Sequence, residues 1–308
     1  MKIFIISLIG QKSCTVTFCS VKNMLLSTLF NATQKMLNEL HFFAECSSNS
    51  NGQVLQLWDA EFGYILYQHI PMVYDLCRQK KIKKIEICKG MYPFYYFLDQ
   101  RMIQERKCSF NQPINTKKQH EVLDYHGIMP NYAPYHTNQI PPYFYVYNKH
   151  NREWGKDPIN TFLPHDLKII FDELCFPAIY HRAQNDKTLG TNDETHLSGD
   201  FEVASSSNIF TTKDILQNQG NRMMNALQIV LAKNARLVIG VQGGMAVMSS
   251  LIGAKLLVLC KGGSECRKDY HFYPHTHNST IIITENSDAI QRVLRHTCGK
   301  PSYFHAWR

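Results

Sequence analysis

Three absences narrow the field before any motif is considered. The chain has no Cys-x-x-Cys pair among its ten cysteines, and Cys14 with Cys19 and Cys260 with Cys266 do not make a convincing zinc set. It has no Asp-x-Asp triplet, no Gly-x-Gly-x-x-Gly fingerprint and no phosphate loop ending in Gly-Lys-Ser/Thr. It also lacks a long apolar run. The opening KIFIISLIG is too short to span a bilayer and is followed by Gln11 and Lys12 without a small-residue cleavage site, so it reads as a strand or a loosely attached segment. The sequons at Asn31 and Asn278 are short enough to arise by chance.

Charge is scarce as well. Charged residues make up 19% of the 308, against 44% apolar, which is the balance of a packed globular chain rather than a disordered one. The net charge of +8, with 14 histidines besides, suits a protein that handles anions. The one dense basic run, Arg78 to Lys84, sits at the end of a single helix pattern as a solvated face, which argues against nucleic-acid binding. Cysteines such as Cys88 in IEIC and Cys260 in LLVLC lie in apolar runs, so buried thiols in a reducing, cytoplasmic setting are expected.

What is present begins at RLVIGVQGGMAVMSSLIGAKLLVLC, Arg236 to Cys260: strand, glycine loop, helix, strand. Gly240, Gly243 and Gly244 remove Cβ atoms where the chain must turn and where a ligand can come close to the backbone. The helix starting near Met245 directs unpaired N–H groups and a positive dipole end out from a strand's C-terminal edge, which makes an anion site. A tight turn in any open α/β sheet would have the same glycines.

Around this unit, strands alternate with helices. VLQLW is followed by a helix from Tyr64 to about Lys80 and the strand ending at Cys88; YFYVY, PAIYH and TIIIT follow further on, with helices near 164–174, 222–234 and 287–296. Such alternation implies parallel sheets covered on both faces. CSSNSNGQ marks one break, and the Pro-, Asn- and His-rich stretch 111–142 another. The expected division is an ill-defined segment 1–52, an N-terminal lobe with its connecting loop over 53–142, and a C-terminal lobe over 143–308.

Four segments together resemble a group of glycosyltransferases of GT-B-like architecture found in bacteria and large viruses. They are EFGYILYQHIP with CKGMYPFYYF, then NKHNREWGKDPINTF, then IYHR with SGDFE ending at Glu202, and finally NALQIVLAKNARLVIGVQGGMAVMSSLIGAK. The similarity runs from Leu57 to Lys261 and departs from the family at His150, usually aromatic, and at Met245, usually small and polar. It implies an α/β fold of two Rossmann-like lobes with parallel sheets and an inter-lobe cleft. The implied activity is transfer of a sugar from a nucleotide-sugar donor to an acceptor hydroxyl of a glycan or glycoconjugate. No cofactor beyond that co-substrate is implied, and the missing Asp-x-Asp fits a metal-independent mechanism that neutralises the leaving diphosphate with dipoles and cations.

Roles follow from position. The N–H groups of Gly243, Gly244 and Met245 are assigned to the donor diphosphate, with Gln242 and Ser249 as polar contacts. Arg182, closing the strand PAIYH, is the bidentate phosphate partner. Asn148, Lys149 and Asn151 follow YFYVY on the same edge, Lys149 as a point charge for phosphate and the asparagines as contacts for sugar or phosphate oxygens, with Trp154 either packing at a hinge or stacking on a base. Asp200 is read as a ribose or base acceptor, or an ordinary turn residue, and His181 as a core histidine or a contact. The base that activates the acceptor is Glu61, with Asp59 and His69 as rivals. An epimerase or hydrolase of the same plan, or a non-catalytic nucleotide- or glycan-binding module, remains open.

Overall fold

The computed structural model describes residues 11–57, 62–107, 129–151, 157–182, 197–207, 209–216, 221–262 and 281–299. Its centre is a six-stranded, all-parallel sheet of β4 (Phe144–Asn148), β5 (Ala178–Arg182), β6 (Phe210–Thr211), β7 (Leu237–Val241), β8 (Leu256–Leu259) and β9 (Ile281–Thr284). The spatial order is β6-β5-β4-β7-β8-β9, so counted from its own first strand the sheet runs 3-2-1-4-5-6. That is the Rossmann order, and it reverses direction between β4 and β7. Every residue of β4, β5, β7 and β8 is buried, which explains why these strands read as continuous apolar runs instead of alternating ones.

A second parallel sheet, β1 (Gln53–Gln56), β2 (Ile82–Cys88) and β3 (Ile103–Arg106), precedes it, in the order β1-β2-β3. After β1 come a helical turn α2 (Phe62–Tyr64), a π turn (Ile65–His69) and α3 (Ile70–Arg78). One apolar cluster runs through both sheets.

Residues 1–52, which carry no regular pattern in the sequence, contain the helix α1 (Gln11–Glu39). Leu25, Leu29 and Thr33 form its buried stripe at four-residue spacing. That stripe helps seat the helix on two helices of the large sheet, spanning Thr212–Leu216 and Asn221–Asn234. The segment KIFIISLIG lies outside the described residues. Among the described residues no helix is long and apolar enough to cross a membrane.

The cysteines differ from expectation. Cys46 pairs with Cys77 and Cys175 with Cys298, at Cα separations of 6.0 and 5.6 Å, and Cys88 is disulfide-bonded as well. Cys260 is buried and takes part in no disulfide. Partners 31 and 123 residues apart meet only once the fold has formed, so no local spacing announces them. Paired cysteines are the habit of oxidising compartments, and the cysteine argument for a reducing one falls away.

The C-terminal ends of the two sheets meet. Gly63, which follows β1, lies against Gly244, which follows β7: a Cβ built on Gly63 would stand 3.7 Å from the Gly244 Cα. Beside them Asn225 Nδ2 donates to the carbonyl of Gly90, beyond β2, at 2.8 Å.

Candidate functional site

Ligands of open α/β sheets bind at the carboxyl ends of the strands where the order reverses. Here that position lies between Asn148 and Val241, and the chain leaving β7 there is Gln242-Gly243-Gly244. Gly243 has φ 145° and ψ −168°, a conformation that side chains with a Cβ rarely adopt, and it caps the helix Gly244–Leu251. The Gly243 carbonyl accepts from the N–H of Ala246 and of Val247. The N–H groups of Gly243, Gly244 and Met245 have no acceptor among the described residues, and all three residues are partly open to solvent.

Lys149, from the loop after β4, lies across the bend. A Cβ on Gly243 would be 3.0 Å from its Nζ and 3.3 Å from its Cδ and Cε. Glycine is therefore favoured at this position by φ, and a Cβ here would also crowd the end of the lysine side chain. The loop itself is held by Asn148, whose Oδ1 accepts from the N–H of Lys149 at 3.0 Å and of Phe162 at 2.9 Å, while its Nδ2 donates to the Phe162 carbonyl. Asn148 thus shapes the loop that carries Lys149, with both ends of its amide engaged by protein.

Arg182 is placed differently from a phosphate clamp. Its guanidinium is buried, with Nε donating to Asp200 Oδ2 at 2.6 Å and Nη2 to the Leu197 carbonyl at 3.3 Å. Tyr180 donates its hydroxyl to the same Asp200 oxygen at 2.7 Å. Asp200 thus serves as counter-ion to Arg182, in place of the expected ribose or base acceptor. Ser249 is also removed from the bend: its hydroxyl donates to the Met245 carbonyl inside its own helix at 2.8 Å, and the residue is fully buried. Asn151 lies half-buried two residues beyond Lys149. Asp59, Glu61 and Trp154 lie outside the described residues.

His69 ends the π turn and is buried in a small cavity with Leu57, Ile65, Ile87, Met91, Tyr95 and Arg106 around it. Burial pushes its imidazole down to about 4. His181, a core histidine, is likewise lowered to about 4 by burial, with Nδ1 2.9 Å from Thr212 Oγ1 and Nε2 3.1 Å from Gln228 Nε2. Both groups resist protonation in the fold, while the unfolded chain protonates them near 6.5. Between those values the unfolded state binds more protons, so stability falls as pH drops from about 6.5 toward 4. Urea titrations across that range should show the midpoint falling with pH, and replacing His181 with glutamine should flatten the slope.

One residue of the site carries no sequence signal beyond its place after a strand. Asn160, buried, ties together the loops leaving β4, β7 and β8. Its Nδ2 donates to Gln242 Oε1 at 2.6 Å and to the Gly262 carbonyl at 2.8 Å, and its Oδ1 accepts from the N–H of Lys261 at 2.8 Å.

The bend therefore presents hydrogen-bond donors with a cation beside it, an arrangement suited to an oxyanion. No protein-family model, no curated protein and no solved structure matches the chain.

Proposed function

We propose that this bend holds the diphosphate of a nucleotide sugar, and that the protein is a metal-independent glycosyltransferase with two Rossmann-like lobes of GT-B-like arrangement. The single observation that carries the reading is the position of the Gly243 bend. Its unpaired amides stand at the reversal point of a 3-2-1-4-5-6 sheet with Lys149 across them. The four sequence segments that resemble such transferases support the same reading, as does the meeting of the two sheets' C-terminal ends at Gly63 and Gly244.

In this mechanism the amides of Gly243, Gly244 and Met245 and the Lys149 ammonium take up charge as the diphosphate leaves. A helix dipole supplies up to about 2 kcal/mol, and a charged hydrogen bond about 1.5 to 3 kcal/mol more. Lys149, expected from the sequence to be a point charge for phosphate, is then the cation of the site, and Arg182 instead braces the neighbouring strand end. Glu61 immediately precedes Phe62, whose ring packs on Gly244, and acts as the base that accepts the acceptor hydroxyl's proton. The acceptor enters from the side of residues 53–142 and the donor from 143–308.

Thermal stabilisation by UDP-, GDP-, ADP- and CMP-linked sugars, each with and without chelator, tests this. A ligand held only by the folded state raises the melting temperature. One donor is expected to stabilise equally in both conditions and to be consumed when a suitable acceptor is added. Stabilisation without turnover across a broad acceptor panel would favour a binding module. Consumption without an acceptor would favour a hydrolase or epimerase, and no stabilisation by any donor would end the reading.

A further inference from the structure

Asn160 does more than staple three loops, because its own orientation is forced. The N–H groups of Lys261 and Gly262 only donate, so the oxygen facing them, at 2.8 and 3.3 Å, is Oδ1. The Gly262 carbonyl only accepts, so the atom facing it at 2.8 Å is Nδ2. The same Nδ2 is 2.6 Å from the side chain of Gln242, which must therefore present its oxygen to Asn160. A planar amide with its oxygen turned one way has its nitrogen turned the other. Gln242 is almost fully buried, its backbone N–H donates to the Leu259 carbonyl, and its Nε2 makes no hydrogen bond among the described residues. Nε2 is nonetheless not fully enclosed by protein.

We infer that Asn160 is a positioning residue that sets the polarity of the anion site: it fixes Gln242 as a donor beside the Gly243 bend. The backbone of residues 261–262 dictates the Asn160 flip, and Asn160 dictates the Gln242 flip. The bend is then lined by Gln242 Nε2, three backbone N–H groups and the Lys149 ammonium. Such a set takes an acceptor-only group, a phosphate or diphosphate oxygen, and rejects a hydroxyl hydrogen or a metal ion. This inference rests on the diphosphate reading and adds to it the origin of the selectivity.

Inorganic pyrophosphate titrated calorimetrically into the intact chain is the probe, with melting curves confirming that each variant is folded. Gln242→Met retains the shape without the donor and is expected to weaken pyrophosphate about ten-fold, the loss of one hydrogen bond to a charged group. Asn160→Asp still accepts from Lys261 and Gly262 but has nothing to donate, so Gln242 turns its nitrogen inward and its oxygen toward the anion. It is expected to weaken binding ten-fold or more in the parent, but much less in the Gln242→Met background, because the effect travels through Gln242. Equal losses in the two backgrounds would overturn the inference, as would parent-like affinity of Gln242→Met, while leaving the anion site itself in place. A parent chain with no affinity for pyrophosphate would overturn both.

Discussion

Asp200→Ala is expected to destabilise the fold by about 3 to 5 kcal/mol, because it breaks a buried ion pair by removing its carboxylate. Arg182 is 7% exposed and Asp200 1%, and the carboxylate accepts from both Arg182 and Tyr180. Removing it takes a carboxylate away from a buried charge and from the Tyr180 hydroxyl that donates to it. Arg182→Ala leaves the carboxylate stranded instead and should fall in the same range. The paired change Arg182→Met with Asp200→Leu removes both charges together and should recover most of the loss, since replacing a buried ion pair by apolar groups of similar volume is often close to neutral. Equilibrium urea unfolding measures all three. A direct phosphate ligand would behave in the opposite way: Arg182→Ala would leave stability nearly unchanged and abolish donor binding. That outcome would return Arg182 to the site and displace Lys149 from its role.

The strands and the glycine bend were legible for one physical reason. Strands buried on both faces must be apolar throughout, and the glycines of IGVQGG at the end of such a run mark a turn that residues with a Cβ rarely make. Elements outside that condition were harder to see. β3 (Ile103–Arg106) reads IQER and is largely open, and β6 is only two residues long, so neither has an apolar run to betray it. Helix α1 hides a narrow stripe of Leu25, Leu29 and Thr33 within serines, threonines and asparagines.

The helix read as continuous from Tyr64 to about Lys80 is instead broken by a π turn over Ile65–His69. Pro71 gives a cause. It has no N–H for the carbonyl of Tyr67 and its ring crowds that carbonyl, and widening the preceding turn relieves the clash. At the site, sequence placed Arg182 correctly at a strand end but could not show that Asp200, 18 residues later, comes back to neutralise it. Asn160 was invisible for a related reason: its partners at 242 and 262 lie 82 and 102 residues away and are brought together only by the strand order.

Gly243→Val is the substitution expected to affect ligand binding most, lowering affinity for pyrophosphate or the preferred nucleotide sugar about a hundred-fold or more. Two effects combine. A β-branched residue at φ 145° is strained by about 1 to 3 kcal/mol, so the peptide rotates and the amides of Gly243 and Gly244 no longer converge. Its Cβ would also stand 3.0 Å from Lys149 Nζ, pushing the ammonium off the bend and forfeiting a charged hydrogen bond of about 1.5 to 3 kcal/mol. Since 1.4 kcal/mol is a factor of about ten, a sum of about 2.5 to 6 kcal/mol is a loss of about two to four orders of magnitude. Lys149→Met separates the parts: it removes the cation and leaves the amides, so affinity should fall about ten- to a hundred-fold. The remaining binding should depend less on salt, because the variant has one fewer cation facing the anion. Calorimetric titration at two ionic strengths distinguishes the variants. Unaltered affinity in Gly243→Val, with the fold intact, would mean that the bend at the reversal point of the sheet does not touch the ligand.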